Sequence, residues 1–139
     1  MMIQKNRKQS LNTKQRRGIL TLEFLLTVPI LMMILFAMFE FSLLFYARAS
    51  VVEASRAGAR LACVPGVQIK DIELEVHRVL PQRLSRNCRV QTVTGDYSGD
   101  LVAVHVAVPM QAVSPNLLWP IGFDLNGQNI VSETRMLKE

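Results

Sequence analysis

Only two histidines and two cysteines occur among the 139 residues, and aromatic side chains make up just 6% of the chain. His77 lies in an amphipathic stretch and His105 in an alternating one, so ordinary structural roles fit both. There is no CxxC pair, no Gly-rich phosphate loop and no nucleophile elbow. No histidine cluster accompanies the cysteines, which leaves a metal site without ligands. Nothing here argues for an enzyme, a cofactor or a small-molecule substrate. Acidic residues are missing from positions 1–18, where six basic ones stand: Lys5, Arg7, Lys8, Lys14, Arg16 and Arg17. Charge of either sign is almost missing from positions 19–47, where Glu23 and Glu40 are the only charged residues.

What is present follows from these gaps. Hydrophobic residues form 50% of the chain and are mostly aliphatic, with one dense block near the N-terminus. The net charge of +5 belongs to the first 18 residues; the remaining 121 carry 10 basic and 11 acidic groups. A basic tail of this kind can bind nucleic acid. It lacks aromatic residues for base stacking, however, and directly precedes an apolar stretch, so a positive-inside topology signal is the better reading. About 75 residues remain beyond the apolar block, a size at which a lone core is marginal.

The stretch from Ile19 to Ala47 includes 16 uncharged residues between its two acids, Phe24 to Phe39. At helical rise, Ile19 to Glu40 spans about 30 Å, the hydrocarbon thickness of a bilayer. Glu40 is therefore expected at the outer boundary, near Tyr46 and Arg48. Glu23 falls about one turn inside the inner boundary, where an ionisable group costs about 2.5–3.5 kcal/mol on insertion scales. It either snorkels toward Arg16 and Arg17 or meets a partner. Pro29 removes one backbone donor, which membrane helices tolerate. A cleaved secretory signal is a competing reading, with Ala47-Arg48-Ala49 as its small-x-small site, but the apolar stretch far exceeds the usual h-region.

Lys14-Gln15-Arg16-Arg17-Gly18 followed by Ile19-Leu20-Thr21-Leu22-Glu23-Phe24 resembles the processing site of type IV prepilins. The resemblance implies cleavage after Gly18 by a prepilin peptidase, with Ile19 as the new, commonly methylated, N-terminus. Gly18 suits a cut site because a residue without Cβ allows close approach of extended backbone. Glu23 would then neutralise the α-amine of a neighbouring subunit and set axial register. Phe39-Glu40-Phe41, Tyr46-Ala47-Arg48 and Ala54-Ser55-Arg56-Ala57-Gly58-Ala59-Arg60 resemble the TadE-like proteins of the tight adherence (Tad) pilus system, closely over residues 14–64. Phe24 stands where the major pilins of that system usually carry Tyr, which points to the minor class. The resemblance implies a minor pilin or pseudopilin whose partners are the prepilin peptidase, other pilins, the inner-membrane assembly platform and membrane lipid. It places the chain in the inner membrane as a single-pass protein, N-terminus cytoplasmic and C-terminus periplasmic, with incorporation into the extracellular pilus left open. An uncleaved single-pass adaptor of an envelope complex is the alternative.

Beyond the bilayer, residues 47–63 are rich in Ala, Ser and Gly, so the helix should continue until Pro65-Gly66 ends it. Small residues at 50, 54, 57 or 58 and 62 form a stripe for close packing, against another helix or the chain's own sheet. Arg48, Arg56 and Arg60 share one side, facing water or an acidic partner. Residues 67–80 carry Ile69, Ile72, Val76, Val79 and Leu80 at amphipathic spacing, with Asp71, Glu73 and Glu75 outward. Alternation predicts strands over 89–94, 101–108 and 129–137, with a turn at 95–100. Residues 109–127 are irregular, with Leu117, Leu118 and Trp119 expected over the core. Cys63 and Cys88, both on the non-cytoplasmic side, are a candidate disulfide worth about 3–4 kcal/mol, or else two separate thiols. The expected architecture is α+β and pilin-like: leader 1–18, membrane helix 19–47, its extension 48–64, and a small domain 65–139 with a helix on a three-stranded antiparallel sheet.

Overall fold

The computed structural model describes residues 8–95 and 97–138, with side chains described from Leu20 onward. The leader's first seven residues and the side chain of Ile19 lie outside the described residues. Backbone is helical from Lys8 to Ala62 (α1), and Pro29 does not interrupt it. The chain divides into two compact units, Met1–Ala37 and Met38–Glu139. In the first, nearly every described side chain is exposed, including Leu22, Phe24, Leu26 and Ile30. Among the described residues, one helical stretch, Leu20–Ala62, is long and apolar enough to cross a membrane.

The second unit holds the core. After α1 come α2 (Ile69–Val79), a single-turn α3 (Gln82–Ser85), and strands β1 (Arg89–Val93), β2 (Leu101–Pro109) and β3 (Asn129–Leu137). The sheet is antiparallel in the order β1-β2-β3, so β2 is central. The α+β class, the second helix and the three strands are as the sequence predicts. The short α3 was not anticipated; Pro81, with its fixed φ, stands directly before its first turn.

Strand β2 explains the layer arrangement. Val102, Val104, Val106 and Val108 alternate along it and all are fully buried, while the residues between them face the other side. Over the buried face lie Ala47, Val51, Ala54, Ala59 and Ala62 of α1, together with Ile72 and Val76 of α2 and Leu80 just beyond it. The small-residue stripe therefore packs on the chain's own sheet. Ile69, expected in that core, is exposed, and Glu73 and Glu75 are half-buried.

Two features of α1 set how closely it approaches the sheet. Ser55 is buried; its Oγ lies 2.9 Å from Ser132 Oγ and 2.8 Å from Thr134 Oγ1 on β3, and donates to Val52 O. Hydroxyls on the inward face of β3 are thereby satisfied by the helix itself. Gly58 marks the tightest approach: a Cβ there would lie 2.7 Å from Val76 Cγ2 and 3.2 Å from Val104 Cγ1. A side chain at 58 would push α2 off the sheet.

Gly58→Ala is expected to destabilise the folded domain by about 1–2 kcal/mol, because overpacking a full core costs about 1–3 kcal/mol and outweighs the helix-propensity gain of roughly 0.5–1. Gly58→Val should cost more. Denaturant midpoints of the detergent-solubilised chain check the order wild type, Ala, Val.

Candidate functional site: a buried carboxylate and an exposed one

Glu40 is fully buried, although the sequence placed it at a solvated boundary. Its neighbours on α1, Phe39 and Phe41, are exposed, so the carboxylate points inward between them. The segment after β2 supplies what it needs. Two 3₁₀ turns, Met110–Ala112 and Trp119–Ile121, fold that segment back toward the helix. Ser114 Oγ donates to Glu40 Oε1 at 2.8 Å, and the backbone N–H of Leu118 donates to Oε2 at 3.1 Å. Each carboxylate oxygen thus has a donor, the condition under which a buried acid is tolerated. Leu117, Leu118 and Trp119 were expected over the core. Of the three only Leu118 is buried, and its backbone N–H is bonded to Glu40.

The loop is held by contacts of its own. Phe123 packs on Phe41 with ring centroids 5.6 Å apart and planes tilted by 59°. Asn116, at φ 56°, donates to Asp124 Oδ1 at 2.9 Å and accepts from Leu125 N–H, while Asp124 also receives the N–H of Asn126. These donors, Asn126 first and then Asn116, hold the Asp124 carboxyl below its ordinary range.

Glu23 is the opposite case. It is exposed, and among the described residues its carboxylate has no hydrogen bond or ion pair; Thr27 Oγ1 donates only to its backbone carbonyl, at 2.8 Å. Gly18 lies five residues before it in helical backbone, not in the extended form a cut site suggests.

Cys63 and Cys88 are free thiols, which corrects the candidate disulfide. Cys63 Sγ approaches Leu137 O at 3.5 Å, at the end of β3 that pairs with Leu101. Cys88 precedes Arg89, which pairs with Ala107. Six residues of β2 separate those two registers, about 20 Å, on opposite edges of the sheet. A disulfide needs Cα atoms about 4.4–6.8 Å apart. Burial pushes the Cys88 thiol up to about 11.

Remaining titratable groups act locally. His77 Nδ1 lies 2.8 Å from Ser85 Oγ and ties α2 to α3. Arg48, Arg56 and Arg60 are exposed along an open groove of about 640 Å³ and form no ion pair among the described residues. No group of three metal-ligating side chains occurs among the described residues.

Residues 18–60 match the family model described as TadE-like protein. Over this segment, about a third of the chain, the sequence is similar to TadE-like proteins. That family is associated with the Tad pilus and is structural rather than catalytic. The TadE-like segment contains Gly18, Glu23, Glu40, Ser55 and Gly58, and it stops short of Ser114 and Leu118. Neither a curated protein nor a solved structure matches the chain.

Glu40→Ala should leave Ser114 Oγ and the Leu118 N–H buried without an acceptor, at about 1–3 kcal/mol each. Limited proteolysis should then cut within 113–125, where the wild type resists. Non-reducing denaturation followed by alkylation should modify both cysteines; a protected pair would refute the free-thiol arrangement. The folded Cys88 keeps its proton where an unfolded thiol, near 9.0, has lost it. Stability should therefore fall as pH rises from 9.0 toward 11, read as a falling melting temperature.

Proposed function

We propose that the TadE-like chain is a minor pilin or pseudopilin of a Tad-type pilus apparatus, made as a single-pass inner-membrane precursor and cleaved after Gly18. The observation that carries this reading is Glu23, an acid in an exposed apolar helix face with no partner of its own among the described residues. A carboxylate in that setting is costly in lipid, and a counter-charge removes much of that cost. Cleavage after Gly18 produces one, the α-amine of Ile19. Within a single chain that amine belongs to the same helix, four residues earlier. Between chains it belongs to a neighbour, so meeting it fixes the axial step of one subunit on the next. Glu23 is then the registering group, and other pilins and the assembly platform are the partners. The six basic residues at 1–18 hold the N-terminus on the cytoplasmic side and leave the α+β domain periplasmic.

One observation favours a second reading, an uncleaved membrane adaptor: the backbone is helical through Gly18. A peptidase would have to unwind that turn first. The glycine lowers the barrier, since it weakens a helix interior by roughly 0.5–1 kcal/mol relative to Ala.

N-terminal sequencing of the native protein, from cells with active prepilin peptidase, is expected to begin at Ile19. A chain still bearing Met1 or Met2 would exclude the processed form. Glu23→Ala should insert normally yet abolish fibre assembly; unchanged assembly would support the adaptor.

A further inference from the structure

Between Pro109 and Phe123 the sequence has no ionisable side chain, yet much of its apolar surface is not used in the core. Trp119 is 67% exposed and Ile121 53%, and Leu117 is exposed beside them. In a soluble domain, a solvent-facing Leu-x-Trp-Pro-Ile run would be a cost without return. The run is tied to α1 by the hydrogen bond from Leu118 N–H to Glu40. Trp119 is the next residue, so its backbone lies within one peptide unit of a group anchored at Glu40. Glu40 itself directly follows the 16-residue uncharged run Phe24 to Phe39 on helix α1. Phe45 and Tyr46, exposed on α1 at 70% and 64%, follow about 8–9 Å further along the helix. Aromatic rings with a polar edge concentrate at the boundary between acyl chains and headgroups.

We propose that the 117–123 loop is a second membrane contact, with Trp119 and Ile121 entering the outer headgroup–acyl boundary while Glu40 holds the loop at that depth. The inference rests on α1 spanning the bilayer. Its partner is lipid, because the loop is tied to the very point where the helix leaves the apolar layer and carries no charge that a headgroup region would repel or a salt-bridging protein would read. Asp124, the first acid after the loop, is occupied by Asn116 and Asn126. The loop gives the domain two points of attachment to the bilayer, and two points fix its tilt where one helix would leave it free to swivel.

Trp119 is the only tryptophan, so intrinsic fluorescence reports on this loop alone. The full chain is reconstituted in phosphatidylethanolamine–phosphatidylglycerol vesicles containing phosphatidylcholine brominated at either a shallow or a deep acyl position. The expected result is blue-shifted emission, strong quenching by the shallow bromines, weaker quenching by the deep ones, and poor quenching by aqueous acrylamide. Glu40→Gln, which keeps one acceptor oxygen and the side-chain shape, should move Trp119 toward acrylamide and away from the bromines while the chain stays in the vesicles. Full acrylamide quenching of the wild type, with no bromine quenching, would overturn the proposal. So would shielding from both quenchers, the signature of a loop covered by a second copy or another subunit. Release of the chain by alkaline carbonate would instead refute the spanning helix, and the loop contact with it.

Discussion

A carboxylate at the end of an apolar helix must be given donors by something. Here Glu40 receives them from Ser114 and Leu118, 74 and 78 residues further along the chain. Water is not available to a fully buried acid, and lipid offers no hydrogen bond. The loop that closes over Glu40 is therefore as much a requirement of the helix as an accessory of the sheet. Once Ser114 and Leu118 are held there, β2 and β3, which flank the loop, are brought to the same end of the domain. The Phe41–Phe123 contact and the Asn116–Asp124–Asn126 hydrogen bonds then stiffen a segment that has little regular structure.

Helix α1 satisfies two different solvents with one continuous backbone. Its large aliphatic and aromatic residues belong to the apolar stretch, and its Ala, Ser and Gly residues begin where the domain needs a close-packed seam. The change is a matter of volume. Four fully buried valines on β2 leave little room above them, and Gly58 is the position where even a methyl group collides with Val76 and Val104. Ser55 adds direction to this packing, since its hydroxyl reaches Ser132 and Thr134 on β3. The seam is thus fixed by shape along β2 and by hydrogen bonds along β3. The two acids in the apolar stretch of α1 divide the labour: Glu40 is satisfied within the chain, whereas Glu23 has no partner among the described residues and, in the proposed function, meets one in a neighbour.

Much of the fold was legible because its signals are local. Alternation of valines marked β2, a β-branched run marked β1, and β3 occupies Asn129–Leu137 as the pattern indicated. The TadE-like segment was legible from Gly18, Glu23, Phe39-Glu40-Phe41 and the Arg-Ala-Gly-Ala-Arg stretch. What failed was non-local. The candidate bond between Cys63 and Cys88 is ruled out by strand register, which places them at opposite ends and edges of the sheet. The burial of Glu40 was missed although one signal pointed to it: an acid flanked by phenylalanines needs a donor, and an uncharged loop containing Ser114 was available. The collision that makes Gly58 necessary depends on where α2 crosses α1, which spacing alone does not give.

Glu40 and the loop should be energetically coupled through the Ser114 hydrogen bond. A double-mutant cycle of Glu40→Gln and Ser114→Ala, measured by denaturant unfolding of the detergent-solubilised chain, tests this most directly. A coupling of about 1–3 kcal/mol is expected, as for a hydrogen bond to a carboxylate shielded from water. Additive effects of the two substitutions would contradict the account.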